Sequence, residues 1–138
     1  MIGTYEYASI NQSPTILVMA GAEIVDARCK AVKFENGKVT LPAAGEIPAG
    51  ILLISNEDKI VTGVEATIQI KDIGLWKAGA AVAYGDMLAV DAEGLCRPVA
   101  AGQYIFARAL DVAEAKGDLI KVQIINAGFE KAAAQGGN

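Results

Sequence analysis

Alternation, not helical periodicity, organises the apolar positions of this chain. In "VEATIQIK" Val64, Ala66, Ile68 and Ile70 take one face, while Glu65, Thr67, Gln69 and Lys71 take the other. That two-residue period marks a half-buried strand. "LIKVQI" repeats it with Ile120, Val122 and Ile124 inward. "AVKFENGKVTL" reads as a hairpin, with Val32 and Phe34 on one arm and Val39 and Leu41 on the other. Asn36-Gly37 between the arms supplies the positive φ angles of a type I′ turn. The runs are short and are punctuated by Gly, Pro, Asn or Asp. The pattern predicts an all-β chain, folded as a small barrel or two packed sheets.

The pattern is also written twice. "AGAEIVDARCKAV" (Ala20–Val32) aligns with "AGAAVAYGDMLAV" (Ala78–Val90) at an offset of about 58 residues, placing Ile24 on Val82. Further blocks follow in the same order: Glu35–Gly37 on Glu93–Gly94, Ala43–Gly45 on Ala100–Gly102, and Ile68–Gly74 on Val122–Gly128. Length changes between them fall where loops are expected. We therefore expect an N-terminal arm over 1–17, a β domain over 18–128 with copies at about 18–74 and 75–128, and a tail over 129–138. "GLWKA" (Gly74–Ala78) also resembles "GFEKA" (Gly128–Ala132), as if a third copy began and stopped.

Composition narrows the chemistry. The chain has 138 residues, 53% of them hydrophobic, enough for a core of one domain or two very small ones. A net charge of −4 and no basic stripe argue against nucleic acid. The absence of histidine removes Ser-His-Asp and Cys-His systems and most zinc sites. Cys29 and Cys96 form neither a CxxC motif nor a disulfide framework and read as small, half-buried apolar side chains. The N-terminal residues do not read as a signal peptide, and no apolar run is long enough to span a membrane, so a soluble, cytoplasmically made protein is expected.

The acidic stretch "YGDMLAVDAEG" holds Asp86, Asp91 and Glu93 without the spacing of a calcium loop. In the alignment above, Asp86 and Asp91 fall on Arg28 and Lys33, as expected of a solvated face that accepts either sign. No phosphate-binding glycine loop is present. No cofactor, metal or catalytic residue is expected. Trp76, the only tryptophan, and Leu75 stand between the copies, where inter-copy packing and an oligomer or partner contact both remain open. Tyr5, Tyr7 and Ile10 lie on an arm with too few apolar residues to fold by itself, and so point to contact with a partner.

The stretch Lys77–Ile124 resembles the tailed-phage head decoration, or capsid cement, proteins of the lambda head-stabilising type. The matching elements are Gly85-Asp86, "MLAV", Glu93-Gly94, "PVAAG", "ARAL", Gly117-Asp118 and "IKVQI"; Arg108 departs from a frequent glycine. The resemblance covers the last third to half of the chain well, the first copy weakly and the arm hardly at all. It implies a β-clip or β-tulip-like fold and a non-enzymatic homo-oligomer, often a trimer. It also implies binding to the outer surface of a mature virion head, with the arm on the major capsid protein. The alternative is a small β-clip module binding a ligand such as carbohydrate, which would need aromatic or polar groups converging on one concave face. A third reading, an enzyme using Asp86, Asp91 or Glu93, comes with no substrate.

Overall fold

A computed structural model of the chain describes residues 13–131. The Asn36-Gly37 turn, the alternating runs and the intervening glycines produce ten strands. They are β1 (Thr15–Met19), β2 (Ala31–Glu35), β3 (Lys38–Thr40), β4 (Gly50–Leu52), β5 (Glu65–Gln69), β6 (Asp72–Lys77), β7 (Met87–Val90), β8 (Cys96–Pro98), β9 (Tyr104–Ala109) and β10 (Leu119–Phe129). They form two five-stranded sheets, ordered β1-β5-β4-β2-β3 and β6-β10-β9-β7-β8. Adding five to each label of the first order gives the second, so the duplication is one of topology. All strand pairs are antiparallel. Each sheet curls until the end of its first strand meets its third through a parallel bridge, Ala20 to Val39 and Ala78 to Cys96. The fold is a pair of small barrel-like β units.

The equivalences reach the loops. Ile24 bridges Ile60 as Val82 bridges Ala113. Gly63 N donates to Ala20 O as Gly117 N donates to Ala78 O. The turns at Gly45 and Gly102 take φ 78° and 80°. Each is braced by a side chain one residue on: Ala43 N donates to Glu46 Oε1 at 2.6 Å, and Ala100 N to Gln103 Oε1 at 2.9 Å.

Register corrects the alignment at one place. Val39 pairs with Phe34, and its equivalent Cys96 with Val90; Gly50 pairs with Val32, and its equivalent Ala107 with Leu88. Hence Val32 falls on Leu88, Asp86 on Lys30 and Asp91 on Glu35. The loop before β7 is two residues shorter than the loop before β2, and the next turn is one longer. The repeated Ala-Val dipeptide concealed this slip.

The copies bury separate but touching cores. One gathers Ile24, Val32, Val39, Leu52, Ile60, Ala66 and Ile68, all from the first copy. The other gathers Trp76, Leu88, Val90, Phe106, Ile120 and Val122 with Ala31 and Ile51 of the first copy. The second copy thus lies against the outer face of the first sheet. That contact explains why Gln69, expected among the solvated positions, is buried. Its Nε2 donates to Lys71 O at 2.9 Å and to Ile73 O at 2.6 Å, and Gly74 leaves room for its amide. Three boundaries also move. β1 begins before residue 18, β6 spans the expected junction at 74/75, and β10 runs to Phe129. The apparent third copy is the end of β10, where Gly128 and Phe129 pair with Ile105 and Tyr104 and complete the second sheet.

Candidate interaction surfaces

The acidic stretch is a joint. Asp91 is 8% exposed, so its expected place on a solvated face is corrected. Its Oδ1 accepts from Glu93 N at 2.9 Å and Leu95 N at 3.0 Å, and its Oδ2 accepts from Arg97 Nε at 3.0 Å. Gly79 makes space for it, since a Cβ there would meet Asp91 Oδ2. The carboxylate organises the three-residue turn Ala92-Glu93-Gly94, closed by Asp91 N to Leu95 O with Gly94 at φ 80°. Gly94 O then accepts from Ala31 N at 2.7 Å and from Trp76 Nε1 at 2.9 Å. The turn of one copy therefore grips a strand of the other. Asp86 accepts from Ala83 N, and Glu93 pairs with Lys116 at 2.9 Å on the surface. The three acids are spent on separate tasks. Among the described residues no group of three or more His, Cys, Asp or Glu stands where it could hold a metal ion.

Trp76 is fully buried, edge-to-face with Phe106 at 5.5 Å between ring centroids, and offers a partner no surface. Leu75 alternates to the outer face and is exposed. Tyr5, Tyr7 and Ile10 lie outside the described residues. Both cysteines are fully buried and unbridged. Burial pushes the Cys96 thiol up to about 12 and raises that of Cys29. Cys96 matches Val39 in the first copy, which agrees with an apolar packing role.

Two surface features were not anticipated. Phe34 is 58% exposed, and with Ile47 at 53% and Phe129 at 59% it lines a groove of about 460 Å³ between the copies. Phe34 pairs directly with Val39 of the first core, yet its own ring is left to the groove. Phe129 packs edge-to-face on Tyr104 at 5.3 Å. The charged members of the groove are engaged with each other, Lys33 Nζ lying 3.1 Å from Glu46, and Lys33 also reaches Glu35 outside the groove at 3.2 Å. The likeness of "GFEKA" to "GLWKA" was the available signal for Phe129, which occupies the place of the outward Leu75. The second feature is the outer face of the second sheet. Directly paired residues share a face. The rows Ile73–Gln123–Arg108–Met87, Leu75–Lys121 and Lys77–Leu119 therefore set four apolar side chains among three cations.

The chain shares its fold with a phage head protein. It superposes on the head fiber gp8.5 N base of bacteriophage phi29 with a TM-score of 0.62, over 84% of this chain and 97% of that one, at 17% identity. At that identity the likeness is one of fold. No protein-family model matches the chain, and no curated protein does.

Proposed function

We propose that this protein is a structural component of a tailed-phage head, a decoration or cement protein bound to the outer surface of the mature capsid. The observation that carries the reading is the fold shared with the phi29 head fiber base. The residues support it: Asp86 and Asp91 build turns, both thiols are buried, and the turn at Gly94 joins the two copies. A subunit that binds the mature lattice and not its precursors adds free energy to the assembled state alone, and so stabilises it by mass action without catalysis. In this reading the protein is a homo-oligomer, a trimer by the resemblance above. Residues 1–12, with Tyr5, Tyr7 and Ile10, engage the major capsid protein, and several arms together raise avidity. No nucleic acid, membrane, metal or cofactor takes part.

Co-sedimentation of the purified protein with expanded, undecorated capsids of its own phage tests this. Binding is expected; its absence overturns the reading. Deleting residues 1–12 is expected to weaken binding while leaving the β fold intact.

The groove between Phe34 and Phe129 favours one alternative, a ligand-binding module. In that case Phe34→Ala would abolish retention on a carbohydrate array and leave capsid binding unchanged.

A further inference from the structure

We propose that the outer face of the second sheet is the surface this protein applies to the phage shell, and that what it meets there is an acidic, partly apolar protein surface. This rests on the capsid reading above and names the face used.

The face is basic on an acidic chain. Arg108, Lys121 and Lys77 take part in none of the ion pairs among the described residues. Arg108 Nη2 donates to Gln123 Oε1 at 2.8 Å, which orients the guanidinium and leaves its charge uncompensated. Asp72 is the one carboxylate within β6, β7, β9 and β10; it pairs with the buried Ile124 and so alternates to the other face. Three acids in the bordering turns are directed onto their own backbones. Asp86 accepts from Ala83 N, Asp111 from Val112 N, and Asp118 from Glu114 N and Ala115 N. Around the cations Ile73, Leu75, Met87 and Leu119 are exposed.

The first copy provides the control. Its matching positions are Thr15, Leu17 and Met19 on β1, Glu65, Thr67 and Gln69 on β5, Ile51 on β4 and Ala31 on β2. None is a cation, and Ala31, Ile51 and Gln69 are buried. The cationic face therefore belongs to the second copy alone. Three cations interleaved with four apolar side chains, on a chain of net charge −4, suit a protein surface better than a polyanion.

The test uses the full chain, expanded undecorated capsids, and the Arg108→Glu/Lys121→Glu double variant at low and raised salt. A reversal on the first copy's hairpin, Lys38→Glu, is the control. The double variant is expected to bind on the order of tenfold more weakly than wild type and to lose most of the salt dependence, with the control unchanged. Should the double variant melt below the assay temperature, Lys121→Glu alone serves, because that side chain is exposed and unpaired. Equal capsid binding by wild type and variant overturns the assignment of the face while the capsid reading stands. No binding by wild type overturns both. Two further results also overturn the assignment: loss of self-association at unchanged capsid affinity, which makes a second copy the occupant, and loss of a wild-type gel shift on duplex DNA.

Discussion

Ala31, Ile51 and Gln69 run across the first sheet under the second copy, whereas Met87, Arg108 and Gln123 run across the second sheet in partial contact with solvent. The strand order is the same and the neighbours differ. Where a copy is covered, the row is apolar except for one amide whose donors are satisfied locally. Where it is open, the row carries a guanidinium hydrogen-bonded to the matching glutamine. Duplication supplied two frames, and burial decided what each frame could hold. The joint is asymmetric as well. Trp76 and the turn at Gly94 belong to the second copy, and the places they fill in the first belong to Val18 and to the open Asn36-Gly37 turn.

That asymmetry is most directly broken at Trp76. Trp76→Ala removes the largest fully buried side chain and the indole bond to Gly94 O, and is expected to cost about 3–5 kcal/mol by denaturant titration. Val18→Ala at the matching place, half-buried on an edge strand, should cost much less. Equal losses would mean that the two cores are equivalent in energy as well as in topology.

The turns come next. A Cβ at Gly94 would stand 2.8 Å from Ala31 O, on a backbone already at φ 80°, so Gly94→Ala should cost about 1–3 kcal/mol. Gly37 has φ 76° but open space around it, and Gly37→Ala should cost about 1 kcal/mol, the conformational part alone. Asp91→Ala leaves two backbone N–H groups without their acceptor and should cost about 1–3 kcal/mol, whereas Glu35→Ala at the equivalent position should be nearly neutral.

Much of this was legible from the amino-acid pattern. The alternation, the Asn36-Gly37 turn and the repeated Ala-Gly-Ala corner led to the strands and the duplication, because two-residue periodicity and positive φ are local demands. Two things misled: an environment set by the other copy, and a register slip hidden by a repeated dipeptide. Gln69 looks solvated in an alternating strand and is buried because a second unit lies on it. Asp91 looked free because a repeated Ala-Val dipeptide suggested a register two residues away from the true one. The interaction surfaces were illegible for a related reason: Arg108 and Lys121 lie on different strands and meet only through sheet order.

The smallest expected effect separates the copies by charge. Glu46 and Gln103 brace equivalent turns, but only Glu46 titrates. The backbone N–H of Ala43, and then Lys33, hold its carboxyl below the ordinary glutamate value, while Glu46 and Glu35 raise Lys33. A lowered carboxylate contributes fully above its unfolded value, near pH 4.3, and loses that contribution as the pH falls through the folded value. The raised Lys33 gives up its share only in strongly alkaline solution. Both side chains are on the surface, so the effect is small and screened by salt. Wild type should therefore melt slightly above Glu46→Gln at neutral pH, with the gap closing in acid. Gln103→Ala, which removes the uncharged brace, should lower the melting temperature by an amount that does not vary across the same range. No gap for Glu46→Gln at neutral pH would mean that the brace acts through its hydrogen bond alone, which a glutamine oxygen accepts as well, and that the two copies differ there in sequence but not in physics.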